Sequence, residues 1–228
     1  LAGIGLSIIS YHVLLNTDFL ENRGFYNLSG FQYLMNYKFD GYLVATCMDV
    51  RNNRVTKPEG YSEKRVEELL TDNSEEDVQA EELPNVILIM NESFSDLRVL
   101  GNLQLNAENM QNIYGLQENT IHGYTNVSVL GGGTANSEFE ALTGCSMGLL
   151  PASGYAYQQY VKKPMESLVS IMKEEGYSTY SIHPESSKNW NRDKIYQMFG
   201  FDESYWKEDF KGEEQFHSGV SDRATYHK

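Results

Sequence analysis

Three consecutive glycines, Gly131 to Gly133, lead directly into Thr134, and this junction restricts the local fold more than any other feature of the chain. Glycine adopts backbone angles and close approaches that a side chain would block, so the run predicts a tight turn. The residues that follow predict a helix from about Ala135 to Leu142, with Thr134 at the N-cap or in the first turn. The exposed N–H groups and the positive dipole end of such a helix favour an anion.

Two interpretations fit this junction. A hydroxyl at the helix start can attack a phosphorus or sulfur centre while the adjacent amides hold its oxygens. A glycine-rich turn followed by a threonine-capped helix explains the same residues without any chemistry. The segment is not a nucleotide P-loop, because no Gly-Lys-Ser or Gly-Lys-Thr follows the glycines. The junction by itself leaves both interpretations open.

A second segment, Leu83 to Phe94, predicts a buried strand that ends in polar residues. Val86 to Met90 is continuously apolar, as expected of a strand covered on both faces in a parallel sheet. Ligands of open α/β sheets bind beyond the carboxyl ends of the strands, where Glu92 and Ser93 emerge. Glu92 is therefore a candidate metal ligand, and a solvated loop carboxylate is the alternative.

A third segment places further polar residues after a strand. A helix predicted between Pro164 and Gly176 precedes a short strand with His183 at its carboxyl end, and Trp190 and Arg192 follow on a loop. Arginine offers a planar fork for phosphate oxygens, and tryptophan offers a flat wall for a polyol or a cation. Each of these residues is often just packed, but their occurrence together favours a binding site.

The order of predicted elements from residue 83 onward is that of an α/β domain. Strands near 83–94, 120–129 and 177–183 alternate with helices near 107–119, 135–142, 164–176 and 193–199.

The net charge of -14 argues against nucleic acid as a partner, since nucleic acid selects clustered lysine and arginine. Cys47 and Cys145 are expected as two unpaired thiols, although a single bridge between them stays open.

Three motifs in this order resemble the extracellular catalytic domain of lipoteichoic acid synthases and related phosphoglycerol transferases, in the alkaline phosphatase and sulfatase superfamily. They are the strand Asn85–Ser93, the Gly-Gly-Gly-Thr-Ala-Asn-Ser-Glu-Phe-Glu run and the His-x6-Trp-x-Arg run. The resemblance covers most of residues 30–228. It implies an alkaline phosphatase/sulfatase-like α/β fold, with a largely parallel sheet flanked by helices.

The resemblance also implies roles for individual residues. Thr134 matches the nucleophile that takes glycerol phosphate from phosphatidylglycerol and holds it as a phospho-threonine. Glu92, with the Thr134 oxygen, matches ligands of a divalent ion, Mn²⁺ or Mg²⁺. His183, Trp190 and Arg192 match residues that line the glycerol phosphate pocket. A hard divalent ion prefers oxygen ligands and lowers the pKa of a bound hydroxyl, which agrees with these roles.

One departure from the family pattern concerns the rest of the metal site. The family completes that site with an Asp-His pair downstream of the Trp-x-Arg run, and no Asp-His dipeptide occurs in this chain. We therefore expect residues 83–228 to be an incomplete, N-terminal part of the catalytic domain. Residues 1–82 are expected to be a juxtamembrane segment and linker, with a membrane anchor N-terminal to the chain and catalysis on the outer face of a bacterial membrane.

The expected function is phosphoglycerol transfer to a growing glycerol phosphate polymer or a glycolipid. A phosphodiesterase or sulfatase-type hydrolase on the same scaffold is one alternative, in which water resolves the phospho-threonine. A non-catalytic domain that only binds the headgroup is another. Trp190 and Arg192 favour the transferase, because that motif belongs to glycerol phosphate recognition in the family that the chain resembles.

Overall fold

The computed structural model of the chain describes residues 2–25, 33–71, 83–91, 94, 96–101, 103–108, 110–129, 133–151, 154–217 and 219–228. The α-helices within these residues are α1 (Ala2–Asn16), α2 (Tyr33–Asn52), α3 (Glu63–Thr71), α4 (Gln111–Gly115), α5 (Thr134–Thr143), α6 (Ala156–Gln159), α7 (Leu168–Glu174), α8 (Arg192–Phe199) and α9 (Asp222–His227). The strands are β1 (Tyr180–Ile182), β2 (Glu203–Tyr205), β3 (Gln215–Phe216) and β4 (Gly219–Val220). Short 3₁₀ turns lie at Glu21–Arg23, Leu97–Leu100, Met147–Leu149, Asn189–Asn191 and Lys207–Phe210.

The amino-terminal helices α1 and α2 pack against each other. Helix α2 is interrupted at Gly41, whose φ of 76° is a left-handed conformation that glycine adopts without strain. The Arg51 guanidinium pairs with the carboxylates of Asp18 and Glu21, which ties the end of α2 to the turn after α1. None of the helices in the described part of the chain has both the length and the apolar character needed to cross a bilayer.

The hydrophobic core lies between helices α5, α6, α7 and α8. Edge-to-face contacts of Tyr157 with Phe139 and with Phe199 hold its centre, at ring separations of 6.4 and 5.8 Å. Each large apolar side chain buried in this way stabilises the fold by roughly 1.5–3 kcal/mol. The buried members are Ala135, Phe139, Leu142, Met147, Ala156, Tyr157, Val161, Val169, Ile195, Tyr196 and Phe199.

Strands β1 and β2 are parallel, and helix α8 lies between them in the chain. Their register pairs Ser181 with Ser204, whose hydroxyls are 2.7 Å apart. At the start of the pair, Asp202 accepts hydrogen bonds from the backbone N–H and the hydroxyl of Thr179. A parallel pair joined by a helix is the βαβ unit of an α/β fold, as the alternation of elements predicted.

The helices and the strand closest to the site occur where the sequence predicts them. The helix expected over 135–142 is confirmed as α5, and that expected over 193–199 is confirmed as α8. The expected strand before His183 is confirmed as β1. Helix α7 begins at Leu168 rather than at Pro164, because the Ser167 and Ser170 side chains cap its first turn reciprocally. Both cysteines are free thiols, as expected.

For three predicted elements upstream of α5, the predicted secondary structure is wrong: two strands do not form and one helix is shorter than expected. Val86 to Met90 has no strand pairing, and its side chains are exposed, Ile87 by 83%. The strand expected near 120–129 is irregular, and the helix expected over 107–119 shortens to α4. A doubly covered strand needs hydrogen-bonding neighbours and helices on both faces. The described residues supply neither to these segments, so the apolar pattern by itself does not produce the strand.

Candidate active site

Thr134 is the first residue of α5 and follows Gly133, which has a left-handed φ of 84°. A side chain at Gly133 would be strained by this left-handed backbone. Its Cβ would also lie 3.4 Å from Cε1 of Tyr155 and crowd that ring. The N–H of Asn136 donates to the Gly133 carbonyl at 2.8 Å and closes the first turn. The Thr134 side chain is half-buried. Gly133 and the first turn of α5 therefore hold a threonine hydroxyl at a helix start, as the sequence predicts.

The Asn136 side chain joins α5 to the loop that carries Tyr155. Its amide donates to the Gly154 carbonyl at 2.9 Å, and its oxygen accepts from the N–H of Ala156 at 3.0 Å. These two groups flank Tyr155 in the chain, and Asn136 is only 6% exposed. One buried amide thus fixes the backbone on both sides of Tyr155, whose ring lies next to Gly133.

The indole of Trp190 packs against the ring of Tyr155, with ring centroids 4.4 Å apart and planes inclined by 38°. Trp190 and Asn191 both have a φ of 59°, a conformation that costs non-glycine residues of order 1–3 kcal/mol each. Hydrogen bonds from the Asn189 N–H to the Ser186 carbonyl and from the Asp193 N–H to the Ser187 carbonyl, each 3.0 Å, hold this turn. Strain of this kind concentrates at functional sites.

Arg192 begins α8 immediately after that strained turn, and its guanidinium is buried against Glu138 of α5. Its Nε and Nη2 atoms donate to Oε2 of Glu138 at 3.1 and 2.9 Å. The side chains are 2% and 11% exposed. Burial opposes the charged guanidinium, but the hydrogen bonds and the negative charge of Glu138 raise the pKa of Arg192 above its ordinary value. The arginine is thus held in place as a cation.

Two tyrosine hydroxyls complete the surroundings of the Glu138 carboxylate. Tyr157 donates to Oε1 at 2.9 Å, and the negative charge of Glu138 also acts on the hydroxyl of Tyr196. Burial, followed by the charge of Glu138, raises the pKa of both hydroxyls, which therefore remain protonated donors. The four groups form one buried polar network between α5, α6 and α8.

His183 follows β1, and its backbone N–H donates to the Tyr205 carbonyl at 2.9 Å. Its ring meets the edge of Trp206 at a centroid separation of 6.1 Å. Burial, and then the charge of Arg192, lower the pKa of His183 below its ordinary value of 6.5. The imidazole is neutral near pH 7 and offers one hydrogen-bond donor and one acceptor.

Three of the predicted site residues are therefore linked around α5. Trp190 contacts Tyr155, whose ring lies next to Gly133 before Thr134, and Arg192 reaches α5 through Glu138. His183, the fourth, lies near enough for the charge of Arg192 to lower its pKa. Glu92, the fifth, lies outside the described residues. Within the part of the chain that the structure describes, no group of three or more His, Cys, Asp or Glu side chains could hold a metal ion.

Sequence reasoning assigned no role to Asn136, Glu138 or Tyr155. Glu138 had a detectable signal, because it lies four residues after Thr134, one turn along the same helix face, and is acidic on an otherwise apolar side. Tyr155 lies in the loop between Cys145 and Lys163, which is long enough to suggest a functional loop without singling out any residue.

A model of the Sulfatase family matches residues 84–228. The chain belongs to the sulfatase family. This membership confirms the predicted alkaline phosphatase/sulfatase-like α/β fold. Enzymes of the sulfatase superfamily are in general metal-dependent.

The chain is similar to two further proteins. It is 35% identical over 167 residues to a protein of Rhizobium meliloti (strain 1021) named for cyclic beta-1,2-glucan modification, across 73% of this chain and 26% of that protein. It is 24% identical to the lipoteichoic acid synthase LtaP from Listeria monocytogenes, with a TM-score of 0.40, across 44% of this chain and 24% of that one. The sulfatase-family chain thus spans about a quarter of each relative.

Proposed function

We propose that this sulfatase-family chain carries the nucleophile and part of the headgroup pocket of a phosphoglycerol transferase. The observation that supports the proposal is the linkage of Thr134, at the start of α5, to Trp190 through Tyr155 and to Arg192 through Glu138. A nucleophilic hydroxyl, an aromatic wall and a fixed cation are the groups that transfer of glycerol phosphate requires.

In the proposed first step, the Thr134 oxygen attacks the phosphorus of phosphatidylglycerol. The new Oγ–P bond forms as the P–O bond to diacylglycerol breaks, and the threonine proton leaves with the diacylglycerol hydroxyl. The N–H groups at the start of α5 and the Arg192 cation stabilise the negative charge on the phosphoryl oxygens. A hydroxyl of the acceptor then attacks the phospho-threonine, transfers its proton to Thr134 and frees it.

A divalent ion, Mn²⁺ or Mg²⁺, is part of this proposal, with Glu92 and the Thr134 oxygen among its ligands. When bound, such an ion lowers the pKa of a hydroxyl and neutralises phosphoryl charge. The chain's own groups bind and orient the substrate independently of it: Trp190 packs against the glycerol, and neutral His183 offers a hydrogen bond to a hydroxyl.

The proposed acceptor is a hydroxyl of a glycerol phosphate polymer, a glycolipid or a glucan. The glucan is included because the Rhizobium relative is named for glucan modification. The proposed location is the outer face of a bacterial membrane, with a membrane anchor N-terminal to the catalytic domain, as the family resemblance implies. In a phosphodiesterase or sulfatase-type hydrolase on this scaffold, which the family name itself favours, water takes the place of the acceptor hydroxyl.

The experiment that tests the proposal follows the covalent adduct in the complete protein. Turnover of phosphatidylglycerol is quenched, and the peptide containing Thr134 is examined by mass spectrometry for a glycerophosphoryl group. Thr134→Ala should abolish adduct and turnover, while Thr134→Ser should retain part of both. Ser137→Ala, one turn further along α5, is the matched control and should keep the adduct on Thr134. An adduct on Ser137, or full turnover by Thr134→Ala, contradicts the proposal.

Hydrolase and transferase are separated by the fate of that adduct. Added glycerol or glycolipid should accelerate loss of the adduct and appear in the product if the protein is a transferase. Release of free glycerol phosphate at a rate independent of acceptor identifies the hydrolase. A headgroup-binding domain without catalysis would give neither an adduct nor turnover but would still bind glycerol phosphate.

A further inference from the structure

We propose that Glu138 is a positioning residue of this site: it fixes the orientation of the Arg192 guanidinium one helical turn along α5 from Thr134. The inference rests on the proposed function, because the oriented positive charge is taken to stabilise the phosphoryl oxygens. Glu138 acts through Arg192, and the observable consequence is a loss of catalysis that exceeds any loss of folded protein.

The contacts leave the guanidinium little rotational freedom. Both Nε and Nη2 donate to the same carboxylate oxygen of Glu138, so one planar edge of Arg192 faces α5. The hydroxyl of Tyr157 holds the carboxylate in turn, donating to its other oxygen at 2.9 Å. At 2% exposure the arginine cannot turn toward solvent without unpacking the core between α5 and α8.

The location of the pair on α5 ties it to the nucleophile. Side chains four residues apart on a helix have Cβ atoms about 5–6 Å apart on one face, so the Glu138 carboxylate and the Thr134 hydroxyl share a rigid support. Arg192 itself follows the strained turn at Trp190 and Asn191. The orientation of the Arg192 cation therefore depends both on that turn and on the pairing with α5, the helix that carries the nucleophile.

A purely structural role explains the pair poorly. A buried ion pair must overcome the desolvation of both charges, and apolar side chains of similar volume commonly hold two helices together as well or better. The surroundings are already a hydrophobic core, with Phe139, Ile195 and Phe199 buried around the network. An oriented charge, held by the helix that begins at Thr134, is something that apolar packing does not provide.

Positioning and simple charge attraction make opposite predictions for Glu138→Gln. The substitution keeps an oxygen acceptor but removes a negative charge, so attraction alone predicts tighter binding of glycerol 1-phosphate. Orientation predicts the reverse for catalysis, because the single oxygen of the amide cannot accept the Arg192 contacts on one side and the Tyr157 hydroxyl on the other, as the two carboxylate oxygens do. Glu138→Asp keeps the negative charge but shortens the side chain by one methylene, so the carboxylate and the guanidinium paired with it lie closer to the α5 backbone.

The test uses the complete protein with the variants Glu138→Asp, Glu138→Gln and Glu140→Gln. Glu140 is the matched control, since it is a half-buried glutamate of α5 whose carboxylate accepts from the Met147 N–H at 2.7 Å, on the loop side of the helix. A misplacement on the order of 1 Å at a reacting group costs about a hundredfold in rate. We therefore expect adduct formation on Thr134 at saturating donor to fall about a hundredfold in both Glu138 variants and less than about twofold in Glu140→Gln.

Each outcome bears on the inference. Rates are divided by the folded fraction from thermal unfolding, so that instability is not counted as lost catalysis. The inference is overturned if the corrected rate of either Glu138 variant matches that of Glu140→Gln. If the wild-type protein forms no adduct, the proposed function fails, and calorimetry with glycerol 1-phosphate decides the inference instead. In that case, wild-type binding that Glu138→Asp weakens about tenfold or more supports positioning, whereas equal binding, or none to the wild-type protein, overturns it.

Discussion

The ring of Tyr155 lies close both to Gly133, directly before Thr134, and to the indole of Trp190. Its Cε1 is 3.4 Å from the position that a Cβ on Gly133 would occupy, and its centroid is 4.4 Å from that of Trp190. Asn136 fixes the backbone on both sides of Tyr155. A residue of an irregular loop thereby sets the spacing between the proposed nucleophile and the proposed wall of the glycerol pocket.

Replacing Tyr155 should loosen Trp190 without unfolding the domain. Tyr155→Leu removes a ring contact worth about 0.5–1.5 kcal/mol, so kcat/KM for the donor should fall by about two- to tenfold. Tyr155→Phe keeps the ring and is the matched control, expected within about twofold of the wild-type value. Steady-state kinetics on the complete protein provides the measurement. Equal activity of the leucine and phenylalanine variants would show that the ring does not support Trp190.

Gly133→Ala should damage activity through strain and crowding together. The left-handed φ of 84° costs a non-glycine residue roughly 1–2 kcal/mol, and the new methyl group meets the Tyr155 ring at 3.4 Å. Gly144→Ala is the control at the other end of α5: its φ of 68° gives similar strain, but no atom lies within 4 Å of the added Cβ. Both variants should lose similar stability in urea unfolding, whereas only Gly133→Ala should lose most of its turnover.

Asn136→Ala should destabilise the protein by leaving two buried backbone groups unpaired. The carbonyl of Gly154 and the N–H of Ala156 both lose their partner, at a cost of about 1–3 kcal/mol each. Urea unfolding measures the change in the free energy of unfolding. Gln158→Ala, an exposed position on α6, should change it by less than about 0.5 kcal/mol. A loss for Asn136→Ala no larger than this control would mean that water replaces the amide.

The protein should become less stable as the pH falls through the titration of His183. Burial and the Arg192 charge hold the pKa of the folded His183 below 6.5, so the unfolded chain binds more protons between the two pKa values. The free energy of unfolding should therefore drop as the pH decreases from about 6.5 through that lowered pKa. In His183→Gln the drop between about pH 7.5 and about pH 5.5 should shrink, while the exposed His227→Gln should leave it unchanged. An unchanged drop in His183→Gln contradicts the prediction.

The buried pair of Glu138 and Arg192 should behave as one unit in stability measurements. Arg192→Met leaves the Glu138 carboxylate buried without its cation and should cost about 3–5 kcal/mol. The double variant Glu138→Met with Arg192→Met removes both charges and should recover most of that loss, while turnover remains abolished. Denaturant unfolding of the wild-type, single and double variants completes the cycle. Additive losses in the double variant would show that the charges do not interact.

Local signals in the sequence determined much of the region around the site. Gly133, directly before Thr134, specifies the start of α5, because few other residues tolerate its left-handed backbone. A short apolar strand between two helical patterns specifies β1, and therefore the place of His183 after it. These elements depend on neighbouring residues in the chain, which explains why their positions could be predicted.

Only the tertiary structure decided which side chains meet. Glu138 and Arg192 are 54 residues apart in the chain, and no periodicity in the sequence indicates that α8 packs on α5 through an ion pair. The contact of Tyr155 with Trp190 likewise requires two irregular turns to come together. The apolar run Val86 to Met90 is a case in which local sequence misled. Its pattern predicts a covered strand, but its side chains are exposed, and the described residues provide no strand or helix to cover them. Local sequence sets the conformation of a segment, but pairing and burial depend on surfaces that other parts of a chain must supply.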